Sequence, residues 1–410
     1  MEIKNNKLKQ LDKKVGDFYR LSHRYLGSLS NLYGREVYKR ELADVLYEAD
    51  QITPESTFDD LILKNIQSNL RLNDLTLDYL SDPNFSLDVQ SFFDKIAGDG
   101  AFQLLEDKVR SPPWKNRWEM SEKTQERDYT RVSPFTEEAQ KAAKAWVPQI
   151  KEDILKYGKS EGLLPEDFKM NILLLPPKDG SESSNWNSVT KLFSLGSYGF
   201  DFFHKNAEVV AIPTRAYNVA FHEVLGHGAH QINSQNMPFS CKFTEEVGAM
   251  TPTKSITEGV AMNAEKECYK FLRDRMNNLR ITEEDINLLQ EGMELENQTM
   301  NEYMYYALLK DKELKEKDFD GYKHLLNLTK NPVMARAFKE NFKGTFEDLW
   351  KHTGHTLGPL HYEKMRQKVE NTFGKEYLDN NRKKFHKATL TGVWSWEIYP
   401  DAVTYFMKNN

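Results

Sequence analysis

The stretch AFHEVLGHGAHQINS, residues 220 to 234, is the part of the chain that most narrows its possible folds. It holds His222, Glu223, His227 and His230 within nine positions. Side chains four apart on an α-helix lie about 40° apart around the axis, and side chains five apart lie about 140° apart. His222 and His227 are five apart, so a regular helix aims them in divergent directions. One π-type turn, at roughly 4.4 residues per turn, returns them to about 50°. Gly226 lowers the steric cost of that distortion. His230 is the alternative partner, but it lies about 12 Å along a regular helix from His222 and about 80° round it. Only a bent or broken helix joins those two.

Convergence matters because of the residue types. Neutral imidazoles and carboxylates meeting from one side hold zinc. The metallopeptidase signature sets two helical histidines four apart with a glutamate beside the first; here the spacing is one residue longer. A third ligand is expected from KSITEGVAMNAEKECYKFL, residues 254 to 272, where Glu258 and Glu265 are seven apart and share one helical face. Small Gly259 and Ala261 let this helix approach the histidine helix closely. Glu258 is expected to bind the metal, and Glu265 to steady a ligand histidine from behind.

The rest of the chain sets this segment in a mainly helical protein. Residues 1 to about 110 show helical periodicity with many charges, as in Leu42, Val45, Leu46 and Leu63, Ile66, Leu70. Pro54, Pro83-Asn84 and Gly98-Asp99-Gly100 punctuate it. The rigid segment Arg110-Ser111-Pro112-Pro113-Trp114 suggests an N-terminal helical region over 1–113 and a catalytic region over 114–410, continuous as one structural unit. A helix is expected over Pro134 to Tyr157, with Thr136-Glu137-Glu138 as a capped, acidic first turn. MNILLLPP, KLFSLGSYGF and AEVVAIP, between Met170 and Pro213, read as three strands. The expected fold is therefore mainly α: a large helical protein with a small β-sheet beside the active-site helix.

Composition excludes some classes of function. Lys and Arg number 56 against 62 Asp and Glu, a net charge of −6 that argues against general nucleic-acid binding. Cys241 and Cys268 cannot build a disulfide framework, which suits a reducing compartment. The opening MEIKNNKLKQLDKKVGDF has no apolar signal region, and no run approaches the eighteen apolar residues of a membrane span. The expectation is a cytoplasmic protein that engages neither membrane nor nucleic acid.

These motifs resemble those of known families. HEVLGH (222 to 227) resembles the HExxGH helix of the dipeptidyl peptidase III zinc peptidases. EGVAMNAE (258 to 265) is similar to the EGWALYAE segment of a broad bacterial gluzincin family whose histidine motif is HExxPGHHxQ. HYEKMRQKVENTFG followed by FHKATLTG resembles the C-terminal pattern of that second family. The HExxxH spacing also occurs in tubulin tyrosine carboxypeptidases. The resemblance covers roughly residues 200 to 400, with Val260 and Asn263 standing where the bacterial family has Trp and Tyr. It implies a gluzincin with one zinc per chain on His222, His227 and Glu258, and Glu223 as general base.

Hydrolysis needs two further parts. One is a donor facing the developing oxyanion. KHTGHTLGPLHYEKM, residues 351 to 365, reads as a loop entering a helix and offers His352, His355, His361 and Tyr362. Related gluzincins place a glycine-histidine-tyrosine segment over the zinc, and Tyr362 falls at the matching place, so Tyr362, His355 and His361 are the candidates. The other part is a strand edge holding the substrate extended. Leu192 to Tyr198 is the better placed, with Leu195, Gly196 and Ser197 as substrate contacts. His386 reads as structural. Arg336, Arg366 and Arg382 are possible anchors for a substrate carboxylate. The expected substrate is a peptide or an unstructured protein tail. The competing readings are a tail-specific carboxypeptidase-like enzyme and a helical scaffold with a structural metal. Glu223 speaks against the scaffold, since a purely structural site has no use for a base.

Overall fold

The computed structural model describes residues 2–26, 32–81, 87–110, 132–177, 184–235, 237–238, 254–341 and 346–409. The Ser111–Trp114 segment, Pro83-Asn84 and Cys241 lie outside the described residues, as does the side chain of His352.

Five helices open the chain: α1 (Asn6–Leu26), α2 (Leu32–Asp50), α3 (Thr57–Ser81), α4 (Val89–Ala97) and α5 (Ala101–Arg110). Local chemistry sets their ends. Asp88 caps α4 by accepting the Ser91 amide, and Gly98, at φ 101°, turns the chain out of it. Then α6 (Glu137–Ser160) starts as its sequence foretells, with the Thr136 hydroxyl accepting the Ala139 amide.

The strand region is more elaborate than three runs. It forms β1 (Asn171–Leu175), β2 (Asn185–Asn187), β3 (Leu192–Gly196), β4 (Asp201–Lys205) and β5 (Glu208–Ile212). Two sheets result, one ordered β1-β3-β2 and the other a β4-β5 hairpin. KLFSLGSYGF is not one strand: a 3₁₀ turn at Ser197–Gly199 separates β3 from β4. β3 pairs in parallel with β1 and antiparallel with β2, so it is the middle strand.

The histidine segment follows as α7 (Thr214–Ala220), a π-helical turn (Phe221–Gly228) and α8 (Ala229–Gln235). Beyond it come α9 (Lys254–Asp274), α10 (Met276–Leu279), α11 (Glu283–Lys315), α12 (Gly321–Thr329), α13 (Pro332–Asn341), α14 (Phe346–Phe373), α15 (Lys375–Asn380), α16 (Arg382–Thr389) and α17 (Tyr399–Asn409). KHTGHTLGPLHYEKM is therefore not a loop. It lies inside α14, with Pro359 within the helix.

The chain is mainly helical with small sheets beside the motif helix. One apolar core runs from Leu8 on α1 through Ile154 on α6, Val224 of the π-turn and Val260 on α9 to Phe406 on α17. A second core joins Phe92, Phe93 and Phe102 to Tyr305 and Phe338. Polar ties also bind the first helices to the last segment: Asn65 donates to the Val393 carbonyl and accepts the Ser395 amide.

Candidate metal centre

The π-turn carries His222, Glu223 and His227, and brings the two imidazole centroids to 4.8 Å with the rings nearly perpendicular. The extra residue in the spacing is absorbed by the wider turn. Gly226 serves a different purpose from the one its position suggests. It is absent from the glycines with positive φ. A Cβ on it would instead meet Ala261 Cα at 2.4 Å, so it allows the π-turn and α9 into backbone contact. That contact sets Glu258 opposite the histidines. Gly259 faces the other way, towards Gly358 on α14.

Glu258 Oε2 lies 3.6 Å from His222 Nε2, 3.5 Å from His227 Nε2 and 3.7 Å from His355 Nδ1. One ligand atom each from His222, His227 and Glu258 form a group with all separations within 4.8 Å. His355 stands outside that group, although its ring stacks towards His222 with centroids 6.3 Å apart. Side-chain exposure rises from 7% at Glu258 through 14% at His222 and 25% at His227 to 35% at His355. The cluster thus opens towards solvent on the His355 side.

The residues fit a metal. Glu258 Oε2 is buried and has no hydrogen-bond partner among the described residues. Leaving such an oxygen unmatched costs about 1–3 kcal/mol or more. The imidazole nitrogens around it are too distant for good hydrogen bonds, yet close to the roughly 3.4 Å that separates ligands around a tetrahedral zinc. A cation shared by the three would satisfy the carboxylate.

Supporting groups complete the arrangement. Glu265 Oε1 lies 2.6 Å from His222 Nδ1, which fixes that ring and leaves Nε2 facing Glu258. Burial pushes the His222 pKa down, but the Glu265 hydrogen bond and the charges of Glu265, Glu258 and Glu223 outweigh it, raising the pKa to about 9 for the protein groups alone. Burial acts to raise the Glu258 pKa, and the surrounding imidazoles outweigh it, holding the carboxyl well below its usual range. Glu223 accepts the Trp186 backbone amide at 3.2 Å. Trp186 packs against the π-turn, its ring 3.1 Å from where a Gly228 Cβ would sit.

Other expected site residues fall elsewhere. Tyr362 is buried and shares a side-chain hydrogen bond with Thr389, and burial raises its pKa. Its hydroxyl is spent in the core rather than over the triad. His361 is also inward: Nε2 donates to the Ala97 carbonyl at 2.7 Å, Nδ1 accepts from Ser255 Oγ at 2.6 Å, and the ring stacks on Trp396. Burial lowers its pKa to about 4, so it is neutral. His230 is likewise buried, donating to the Gly392 carbonyl at 2.7 Å, with its pKa lowered by burial to about 4. His386 lies on α16 with Nδ1 3.9 Å from Glu161. Arg382 pairs with Glu161 and Glu267, while Arg336 is exposed and 3.8 Å from Glu340.

The expected substrate strand is also displaced. Leu195 and Ser197 are fully buried, and Gly196 donates its amide to Ser184 Oγ. β3 pairs with β1 along its length and with β2 only over Leu192 to Ser194, and burial makes Leu195, Gly196 and Ser197 interior. The edge beside the π-turn belongs to β2, whose Trp186 amide already reaches Glu223. The sequence offered little warning: Asn185-Trp186-Asn187 is too short for alternation and reads as a polar loop. A surface groove of about 510 Å³, between the start of α3 and α17, shares no residue with the cluster.

No family model matches this chain, and no curated protein matches it. Among solved structures, it resembles the crystal structure of a candidate lipoprotein from Colwellia psychrerythraea, with 13% identity over 91% of this chain and 67% of the other, at a TM-score of 0.45. A likeness that weak carries no argument about fold family or activity. No helix among the described residues is long and apolar enough to cross a membrane.

Proposed function

We propose that this chain is a zinc-dependent metallopeptidase of the gluzincin type that cleaves peptides or a flexible protein tail in the cytoplasm. The observation that carries this reading is the buried, unpartnered Glu258 Oε2, ringed by His222 and His227, with Glu223 held beside them. His222, His227 and Glu258 would hold one zinc. When bound, zinc would supply Lewis acidity to the scissile carbonyl and to the attacking water.

The chain's own groups do the rest. Glu223 follows a ligand directly, so its carboxylate reaches the attacking water without joining the ligand set. It takes the water's proton and passes it to the leaving amine. The Trp186 amide engages Oε2, which leaves Oε1 for that exchange. His355, on the open side, donates to the carbonyl oxygen as negative charge grows there. The β2 edge offers the nearest backbone against which a substrate could lie extended.

The test is metal analysis of the purified protein, then mass spectrometry of a mixed peptide library after incubation. One zinc per chain and new peptide termini are expected. Glu223→Gln should keep the zinc and lose cleavage by about two orders of magnitude, the usual scale for a removed general base. Zinc binding with no cleavage by the parent over a broad library would leave only a metal-bearing scaffold.

A further inference from the structure

We propose that Gly358 and Pro359 are positioning residues whose shared task is to hold His355 at its working distance from the metal group. This rests on the peptidase reading above. His355 and Gly358 are three apart on α14 and so share one face. On α9 that face meets Ser255, Glu258 and Gly259. A Cβ on Gly358 would lie 2.6 Å from the Gly259 nitrogen and 2.8 Å from the Ser255 oxygen; a Cβ on Gly259 would lie 2.4 Å from the Gly358 oxygen. These are backbone atoms, which cannot rotate aside. The two helices therefore touch through bare backbone one turn from His355, and any side chain there would push them apart.

Pro359 adds a second, independent effect. A helical residue at 359 would donate its N–H to the carbonyl four positions back, which is that of His355. Proline has no N–H, and its ring crowds that carbonyl, so the His355 carbonyl is left without its helical partner inside α14. Gly358 sets how near α14 comes, and Pro359 sets how the His355 turn is presented. Both converge on the 3.7 Å approach of His355 Nδ1 to Glu258 Oε2.

A merely structural role for the pair makes a different forecast, and Pro359→Ala separates the two. Alanine restores a helical hydrogen bond and removes a helix-breaking residue, so thermal stability should hold or rise. If Pro359 positions His355, kcat should still fall, by about tenfold, with KM and zinc content little changed. Gly358→Ala should cost more. Neither substitution should cost more than about twofold further in a His355→Ala background, because residues acting through one group do not add. Additive losses, or full kcat in Pro359→Ala, would overturn the proposal. Should Gly358→Ala fail to fold, the Pro359→Ala cycle decides alone. If the parent cleaves nothing, the peptidase reading falls but this one stays measurable: calorimetry of acetohydroxamate binding to the zinc-loaded protein should weaken in Pro359→Ala and in His355→Ala, without further loss in the double variant. Equal affinity in all three would end it.

Discussion

His227 and His230 lie three positions apart, and His355 and His361 six, yet the members of each pair sit in opposite chemical surroundings. His227 and His355 face the unpartnered Glu258 oxygen at 3.5 and 3.7 Å and are partly open to solvent. His230 and His361 are closed in, each donating to a backbone carbonyl at 2.7 Å. Burial alone therefore does not make a ligand. What differs is the partner: a carboxylate that needs a cation, or a carbonyl that needs a proton donor. The first kind of partner leaves an imidazole nitrogen available, and the second uses it up.

The largest effect that could break this comparison is on zinc content. Glu258→Ala and His227→Ala should each empty the site, because two remaining ligands hold zinc poorly. His230→Ala should leave occupancy at one per chain, as measured by elemental analysis of dialysed protein. The reverse pattern, zinc lost with His230 and kept without His227, would mean that the π-turn is not what converges the ligands.

That turn was legible in advance because spacing is a strong signal. Histidines five positions apart with a glutamate after the first leave few helical geometries that serve chemistry, and the seven-residue interval from Glu258 to Glu265 names a face. Choosing between His355 and His361 was not possible from spacing. They lie about 120° apart on one helix, so the choice depends on which face of α14 meets α9. The Gly259–Gly358 contact decides that, and a backbone contact leaves no trace in a pattern of side chains. The strand failed for a related reason. β3 looked the better placed strand for substrate, but Phe193 and Leu195 turn into the core, and the edge fell to three residues, a tryptophan flanked by asparagines.

A middle-sized effect sharpens the other half of the comparison. His361→Ala removes the donor to Ala97, the acceptor of Ser255 and a ring stacked on Trp396. About 3 kcal/mol of stability should be lost, from unmatched polar groups and a cavity. Acid adds a second reading. The folded pKa of His361 is lowered from about 6.5 to about 4, so the unfolded chain binds the proton first. The stability from keeping this ring neutral is fully present above pH 6.5 and is lost as pH falls towards 4, up to about 3 kcal/mol. Denaturant titrations at pH 7 and pH 4.5 should show a smaller acid loss in His361→Ala than in the parent. Equal losses would mean that the ring is not held neutral.

The smallest expected effect concerns Tyr362, the residue that sequence resemblance placed over the zinc. In the structure its Cβ lies beside Gly259, its side chain joins the core, and its hydroxyl meets Thr389. Tyr362→Phe keeps the ring, and with it the packing between α9 and α14, and removes only the oxygen. The loss is one buried hydrogen bond, about 1 kcal/mol in stability. A tyrosine that donated to the substrate carbonyl would behave differently, since removing one oxyanion donor costs about 100-fold or more in kcat. The two cases are far enough apart for a single rate measurement. A kcat within about twofold of the parent keeps His355 as the donor on α14. A hundredfold loss in a variant that still folds and still binds zinc would return that role to Tyr362, and would require α14 to turn during catalysis.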